Sequence, residues 1–463
     1  MLNKKTLIIG LDCLSPYLFF DKFFKDLPNI SKMAKNSLYG RMRSTVPPIT
    51  SPAWMSMMTS RTPGDLGIYG FRNRSDNSYE KMSIVTSLSI KDKTVWDYLG
   101  SAGKKSIAIG VPPSYPPKKI NGIMTGCFLA PDDKGIFAYP KEICGEIKEK
   151  LGEYRIDVRD FRTDDKDRLL QEIYSLTTNR FGVAQYLLKN KQWDFFMFVD
   201  MGTDRLHHGF WRFCDPEHNK FVKNNKYKNV FKDYYLFLDK KVGELMSIID
   251  KDTTVYIVSD HGAKKIDGCF CINEWLIKKG YLKLKEYPDK VVKLTPSMID
   301  WDNTYAWGEG GYYGRVFFNI KGREPKGIIK KSEQENFIAR LKKDLNDIEY
   351  INSKADKTIV YEPGELYGKV NGVAPDLLVF FGDLFWRSAG KVGFNSIYTF
   401  DNDTGPDDAN HDWCGVFMMY DKSIKKGREI DETSIYDIAP TILNNMGLAV
   451  PKTMRGKPLK IKS

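Results

Sequence analysis

The sequence lacks a long apolar run. No segment approaches the roughly 18 consecutive apolar residues that a membrane-spanning helix needs. The run Thr6–Leu11 near the start has six residues and is followed by Asp12, and it is too short for the apolar region of a signal peptide. We therefore expect no membrane segment and a cytoplasmic location, and we interpret this run as the first strand of the fold.

Cysteine is scarce and scattered. The 463 residues include seven cysteines, and the closest pair, Cys269 and Cys271, has a single residue between its members. That spacing is too tight for the usual zinc-binding pair. An odd number of scattered cysteines is better explained by buried thiols in a reducing compartment than by a disulfide framework.

Positive charge is in excess but is nowhere concentrated. The net charge is +12, and no nucleic-acid-binding motif is evident. The charge could attract phosphorylated substrates. Background composition explains it better, because lysines spread along the chain dominate, whereas paired hydrogen bonds to phosphate favour arginine. A non-catalytic polyanion-binding protein stays an alternative, and steeply salt-dependent binding without hydrolysis would indicate it.

Short apolar, β-rich runs alternate with helical stretches, which predicts an α/β fold with a mainly parallel central sheet and helices on both faces. The strongest helical periodicity runs from Tyr227 to Asp250, and further helices are predicted over Asp165–Leu188 and Ser332–Leu345. The clearest predicted strands are Leu7–Asp12, Phe195–Asp200, Val255–Asp260, Asp376–Phe381 and Gly415–Tyr420.

The length suits one large α/β domain over residues 1–463. The regions around 71–156 and 267–404 are rich in glycine, proline and aromatic residues and resemble a repeating strand–helix unit least. We interpret them as insertions that form a lid over the site. Their aromatic residues could stack on a substrate, although packing is the expected role: Trp301, Tyr305, Trp307, Tyr312, Tyr313, Phe385 and Trp386.

Three of the predicted strands end in aspartate, at Asp12, Asp200 and Asp260. The carboxyl ends of parallel strands border the ligand crevice of an open sheet, so carboxylates far apart in sequence can converge there. A single aspartate in such a place usually caps the next helix. Three of them are harder to explain by capping alone.

The chain has only five histidines, and three have suggestive neighbours. His261 directly follows Asp260. His208 lies four residues after Asp204, so both side chains share one face of a helical turn. His411 precedes the last predicted strand. Each histidine alone is more often a structural residue, but aspartate and histidine together suit zinc or manganese.

The segment Thr45–Thr59 offers a nucleophile. Pro52 suits the first turn of a helix, and Thr50 would stand just ahead of it. Free amides and the positive end of the helix dipole would then face a bound phosphate, and a nearby metal would favour the alkoxide. The alternative is that Thr50 and Ser51 only cap a helix, which this segment alone favours.

Ordered motifs run along nearly the whole chain: Leu7–Asp12, Pro48–Trp54, Pro63–Ile68, Val111–Pro117, Gly202–His208, Ser259–Gly262, Asn273–Leu276, Gly314–Glu324, Pro375–Leu378, Gly405–His411 and Asp437–Thr441. In order and spacing they resemble the alkaline phosphatase superfamily. The resemblance is greatest to its type I phosphodiesterase/nucleotide pyrophosphatase branch, in particular to prokaryotic phosphohydrolases. We therefore expect an alkaline phosphatase-like sheet.

The resemblance implies a phosphoric ester hydrolase that acts on a small phosphorylated substrate with two divalent ions, zinc first and manganese or magnesium as alternatives. Thr50 would form a phosphothreonine that water hydrolyses, and two displacements at phosphorus predict net retention. Asp200 and His207 are reserve candidates, while substrate-binding residues and oligomeric state stay unassigned. The implied ligands are Asp204, His208 and His411 for the first ion, and Asp12, Asp260, His261 and the Thr50 oxygen for the second.

One position departs from the branch. Its nucleotide pyrophosphatases place a phosphate-binding asparagine where this chain has Phe71, 21 residues beyond Thr50. Arg72 and Asn73 are close enough to substitute, so diesterase and monoesterase activities both stay open. A phosphomutase of the same superfamily is a further alternative. A sulfatase is disfavoured, because the segment after Thr50 lacks the arginine of the sulfatase motif.

Overall fold

A ten-stranded sheet forms the centre of the computed structural model, which describes residues 4–132, 135–351, 357–431 and 433–460. The remaining positions of the predicted 1–463 domain lie outside the described residues. The strands of this sheet are β1 (Thr6–Leu11), β2 (Ser37–Arg43), β3 (Ser106–Ile109), β4 (Gly122–Thr125), β5 (Ala138–Tyr139), β6 (Phe195–Asp200), β7 (Thr254–Val258), β8 (Cys414–Tyr420), β9 (Arg428–Glu429) and β10 (Thr433–Ser434).

The sheet is mainly parallel, as predicted. Its order is β9-β2-β8-β7-β1-β6-β3-β4-β5, with β10 paired to β2. Strand β1 pairs in parallel with both β6 and β7, and β3 and β4 continue that direction. Strand β8 runs antiparallel to β7 and β2. Every residue of β1, β6 and β7 is buried, because helices cover a parallel sheet on both faces.

The register brings the carboxyl ends of the three central strands to one edge. Leu11 lies opposite Asp200, and Gly10 lies opposite Val258. The chain segments that leave β1, β6 and β7 therefore begin side by side, as expected for the ligand edge of an open α/β sheet.

Helices flank the sheet. The helix predicted from Tyr227 begins at Val230, and the two others begin within two residues of their predicted starts. The helices are α1 (Pro28–Ala34), α2 (Thr50–Thr59), α3 (Pro63–Leu66), α4 (Val95–Ser101), α5 (Glu142–Leu151), α6 (Lys166–Asn190), α7 (Gly202–Cys214), α8 (Val230–Met246), α9 (Ile272–Lys278), α10 (Gln334–Asn346), α11 (Pro363–Tyr367) and α12 (Ile438–Asn445). No helix in the described ranges combines the length and apolar character needed to cross a membrane.

A second group of strands lies outside the central sheet. Ala306–Glu309, Gly314–Phe318, Leu377–Phe380 and Ile359–Tyr361 form an antiparallel sheet with its own hydrophobic cluster. The strand predicted over Asp376–Phe381 belongs here and not to the parallel sheet. Smaller ladders pair Gly268–Cys271 with Trp386–Ala389 and Tyr398–Thr399, Gly262–Lys265 with Ala409–Asp412, Val292–Lys293 with Lys391–Val392, and Arg72–Arg74 with Met82–Ile84.

The two predicted insertions differ in structure. The 71–156 region supplies β3, β4 and β5, so part of it belongs to the central sheet. The 267–404 region carries most of the strands outside that sheet. The single-domain and lid assignments stay predictions.

Candidate active site

Six of the seven predicted site residues form two adjoining groups at the carboxyl edge of the sheet, and the seventh, Thr50, lies beside them. In each group, one ligand atom per residue lies within 4.8 Å of the others. Every member of the two groups is at most 2% exposed, and so is Thr50. The first group contains Asp204, His208, His411 and Cys13, and the second contains Asp12, Asp260 and His261.

Helix α7 and a short ladder build the first group. Asp204 and His208 stand one turn apart on α7, and Asp204 Oδ1 lies 3.3 Å from His208 Nε2. His411 approaches from the strand Ala409–Asp412, which pairs with the segment directly after His261. Its Nε2 lies 4.0 Å from the same Asp204 oxygen. Asp204 Oδ1 is thus the common neighbour of two imidazole nitrogens.

All three imidazoles are oriented through Nδ1. His208 Nδ1 donates to Asp407 Oδ1 at 2.7 Å, and His411 Nδ1 donates to the Pro48 carbonyl at 2.7 Å. His261 Nδ1 donates to a backbone carbonyl at 3.1 Å. The Nε2 atoms of His208 and His411 are buried without a hydrogen-bond partner. An Nδ1 held this way is typical of metal-binding histidines, because it fixes the tautomer that leaves Nε2 as a ligand.

The carboxylates of Asp12 and Asp260 show a similar arrangement, in which one oxygen accepts a hydrogen bond and the other has no hydrogen-bond partner in the described ranges. Asp12 Oδ2 accepts from Trp54 Nε1 at 2.7 Å, and Asp260 Oδ1 accepts from a backbone amide at 3.1 Å. Asp12 Oδ1 and Asp260 Oδ2 are buried without a hydrogen-bond partner. Orphaned buried oxygens carry a desolvation cost, which a bound cation would offset. The donor set therefore fits two divalent ions.

The electrostatics of the site favour cation binding. Burial raises the pKa of Asp12, and repulsion from Asp260 and Asp204 raises it further. Burial also opposes the ionisation of Asp204, but His208 and Arg205 outweigh it and hold the pKa of Asp204 well below its ordinary value. Three carboxylates crowded away from water need positive charge nearby, and bound metal ions would supply it.

Thr50 lies at the start of α2, next to the second group. Its Oγ1 is 3.3 Å from His261 Nε2. The hydroxyl borders a cavity of 490 Å³ that Asp204 and His411 also line. The first amides of a helix have no intrahelical acceptor, so the start of α2 can bind an anion. The Thr50 hydroxyl, the start of α2 and two members of the first ligand group thus share one cavity.

A family model for type I phosphodiesterase/nucleotide pyrophosphatase matches residues 6–407. The chain belongs to the type I phosphodiesterase/nucleotide pyrophosphatase family. The matched range includes six of the seven predicted site residues, and His411 follows it by four residues. A search of curated proteins found no match.

Solved structures of this family share the fold. Human ectonucleotide pyrophosphatase/phosphodiesterase 5 superposes with a TM-score of 0.58 at 12% identity, covering 98% of this chain and 97% of that one. The murine protein superposes with a TM-score of 0.55 at 11% identity, covering 97% and 96%. An inactive murine variant in complex with AMP gives the same values. At this identity the likeness shows the fold alone.

The two reserve candidates belong to neither group. Asp200 Oδ2 accepts from Thr177 Oγ1 at 2.9 Å and from the Gly202 amide at 3.2 Å, which ties β6 to α6 and α7. His207 bonds through both ring nitrogens, to the Cys13 carbonyl and to the Tyr235 hydroxyl, each at 3.1 Å. Burial lowers the pKa of His207 to about 3. Both side chains have structural partners.

The structure distinguishes between the two polar residues that could replace the family's phosphate-binding asparagine. Asn73 accepts from the Tyr69 amide at 2.9 Å and donates to the Gly70 carbonyl at 3.2 Å, so its amide is used within its own loop. Phe71 and Arg72 line the cavity. Of the two polar candidates, only Arg72 is placed to meet a substrate.

Sequence reasoning missed several residues of this family site. Cys13 directly follows Asp12 and has a left-handed backbone, with φ of 60°. Its Sγ donates to the Gly262 carbonyl at 3.3 Å. Asp407 lies inside the Gly405–His411 motif, and this motif is the sequence signal from which its role in the site could have been predicted. Packing is the role expected for Tyr312 from the sequence, with substrate stacking as the alternative; its ring stacks on His411 with centroids 3.9 Å apart and lines the cavity.

Proposed function

We propose that the chain is a metal-dependent phosphoric ester hydrolase in which Thr50 forms a phosphothreonine intermediate. The carrying observation is the position of Thr50 Oγ1, 3.3 Å from His261 Nε2 and on the wall of the cavity that Asp204 and His411 also line. Phosphodiesterase or nucleotide pyrophosphatase activity is the first expectation from the family, and phosphomonoesterase activity is the second.

The proposed ligands of the two ions correspond to the two groups of residues. Asp204, His208 and His411 would hold one ion, and Asp12, Asp260, His261 and the Thr50 oxygen would hold the other. When bound, the ions would polarise the phosphoryl oxygens and favour the alkoxide of Thr50. Imidazole and carboxylate ligands suit zinc first and manganese next, and magnesium stays a weaker alternative.

The chain's own groups account for the remaining steps. Thr50 Oγ1 attacks phosphorus and expels the leaving alcohol or phosphate, and the start of α2 stabilises the charge that develops on the phosphoryl oxygens. Water then hydrolyses the phosphothreonine. Each displacement inverts phosphorus, so the product retains the starting configuration.

A relative supports the role of threonine and the substrate class. The inactive murine ectonucleotide pyrophosphatase/phosphodiesterase 5 carries a threonine-to-alanine substitution and was solved with AMP. For this chain, we propose by analogy that a threonine hydroxyl is essential and that the substrate is a small, nucleotide-type phosphate ester.

Substitution of Thr50 tests the mechanism. Thr50→Ala should lower the hydrolysis of bis-p-nitrophenyl phosphate and p-nitrophenyl phosphate by at least about 10³-fold, because it removes the nucleophile. Its zinc content, measured by inductively coupled plasma mass spectrometry, should change little. Thr50→Ser should keep measurable turnover, since it retains a hydroxyl.

Ser51→Ala is the matched control for this experiment. Ser51 is also buried and lies in the same helical turn, and its variant should keep wild-type turnover. If Thr50→Ala retained activity while Ser51→Ala lost it, the nucleophile would be Ser51 and the proposal would be wrong.

Product analysis separates the alternatives. A phosphomutase would return the phosphoryl group to its substrate, so an isomer would accumulate in place of free phosphate. A polyanion-binding protein would retain DNA in a steeply salt-dependent manner and show no metal-dependent hydrolysis.

We also propose a cytoplasmic location. Cys13, Cys127, Cys269 and Cys271 are buried thiols, which suits a reducing compartment. Fractionation of producing cells tests this, and recovery outside the cytoplasmic fraction would contradict it.

A further inference from the structure

Arginine is the most frequent charged residue on the wall of the active-site cavity. Five arginines line this 490 Å³ cavity, and they differ in how well they are neutralised. Arg205 is fully paired, because both Asp157 oxygens and Asp204 accept from it. The others are Arg72, Arg162, Arg315 and Arg387.

One buried carboxylate serves two of these arginines and a histidine. Asp407 is fully buried and accepts from His208 Nδ1, from Arg162 Nε at 3.1 Å and from Arg387. A single negative charge therefore faces two guanidinium groups. Arg387 is 3% exposed, and its Nε has no hydrogen-bond partner. A buried donor left unpaired is costly, and a bound anion would satisfy it.

Arg387 is also close to the proposed ligands. Its guanidinium lies 4.5 Å from the ring centroid of Tyr312, and Tyr312 in turn stacks on His411 at 3.9 Å. The Arg387 guanidinium, whose Nε has no hydrogen-bond partner in the described part of the chain, is therefore separated from a proposed metal ligand by a single aromatic ring.

Arg72 and Arg315 lack a close carboxylate. The nearest acidic group to Arg315 is Glu309, at 4.0 Å, and Arg315 donates instead to the Arg72 carbonyl at 2.5 Å. Arg72 is exposed, and its guanidinium forms no ion pair with any described residue. Both side chains can therefore offer hydrogen-bond donors to a ligand.

An adjoining cavity shares these arginines. This space of 370 Å³ is lined by Arg72, Arg315 and Arg387, and also by Lys293 and Lys391. Its acidic residues are Glu309 and Asp403, and Asp403 accepts from the Gly390 amide at 3.1 Å. The boundary between the cavities thus carries an excess of positive charge.

We propose that Arg72, Arg315 and Arg387 form a second anion subsite, which binds a second phosphate group of the substrate while the first reacts at Thr50. This inference rests on the proposed function and narrows its substrate class to bisphosphates, whose second phosphate group is separate from the reacting one. Guanidinium groups match phosphate through paired, charge-assisted hydrogen bonds. Of these three guanidinium groups, Arg387 alone has a close carboxylate partner among the described residues, Asp407, so the set suits a dianionic phosphate better than a carboxylate.

Calorimetric binding to the zinc-loaded Thr50→Ala variant tests the subsite without turnover. The probes are propyl phosphate and propane-1,3-diol bisphosphate, which differ in the second phosphate. We expect the bisphosphate to bind at least about tenfold more tightly. Additional Arg72→Ala and Arg315→Ala substitutions should reduce that ratio towards one. Arg428→Ala, which removes an exposed arginine at the edge of the central sheet, should keep the ratio.

The outcomes separate the subsite from the proposed function. Equal affinity for the two probes, or an unchanged ratio in the Arg72→Ala and Arg315→Ala variants, would overturn the subsite. Failure of both probes to bind would instead count against the phosphoryl site at Thr50. A third probe, 4-phosphooxybutanoate, tests the kind of anion. If it bound as tightly as the bisphosphate, the assignment to a second phosphate would be wrong.

Discussion

Asp407 lies behind the proposed metal centre, and its substitution should affect both metal binding and folding. Its Oδ1 accepts from His208 Nδ1 at 2.7 Å, while Oδ2 accepts from Arg162 and Arg387. In an Asp407→Asn variant, one side of the amide becomes a donor. If the amide oxygen faces His208, the NH2 group points at two guanidinium groups. If it turns around, His208 loses its acceptor.

The expected losses of metal affinity and of unfolding free energy can each be given a magnitude. Removing the carboxylate behind a metal-binding histidine typically lowers metal affinity about 10- to 100-fold. Leaving Arg387 buried without its counter-ion costs about 3–5 kcal/mol of unfolding free energy, because its side chain is only 4% exposed. Arg162, at 24% exposure, can be rehydrated and should contribute less. We therefore expect weaker zinc binding together with a large loss of stability.

Zinc affinity, measured by competition with a chromophoric chelator, and urea unfolding at the same temperature give the two readouts. Asp408→Asn is the matched control, since Asp408 is also buried but its side chain bonds Arg212, at 2.9 Å. It should lose stability and keep its zinc affinity. Wild-type zinc affinity in Asp407→Asn would refute the reasoning.

Two further predictions concern other parts of the fold. Trp54→Phe removes the hydrogen bond to Asp12 Oδ2 and should weaken binding of the second zinc ion about 10- to 100-fold; chelator titration checks this, and an unchanged second affinity contradicts it. Burial lowers the pKa of His218 to about 4, so the unfolded chain binds this proton below about pH 6.5 whereas the folded chain does so only near pH 4. Protonation of His218 in the unfolded chain therefore lowers the free energy of unfolding by about 2 kcal/mol between pH 7 and pH 5. Urea unfolding at the two pH values should show that His218→Gln loses about this much less stability than the wild-type protein. An equal loss of stability in both proteins would contradict this prediction.

The sequence predicted the central architecture because strand and helix patterns are local. Uninterrupted apolar runs identified β1, β6 and β7, and the ends of parallel strands placed Asp12 and Asp260 at one edge. The spacing of Asp204 and His208 reflects a single helical turn. These features depend on periodicity within one element, which the sequence displays directly.

What escaped prediction depends on contacts between distant segments. The apolar run Asp376–Phe381 identifies a buried strand but not its neighbours, and the structure places that strand in the antiparallel sheet. The pairing of Arg387 with Asp407 and the stacking of Tyr312 on His411 arise from tertiary packing. No local pattern distinguishes such an arginine from one on the surface.

The carbonyl of Pro48 fixes the ring of His411 from a position two residues ahead of Thr50, although the two partners are 363 residues apart. A displacement of that loop would turn the imidazole and shift the hydroxyl together. Lengthening or shortening the connection before α2 is therefore expected to displace the Thr50 hydroxyl and the His411 imidazole at once. The sequences around Pro48 and around His411 should therefore vary in concert and not independently.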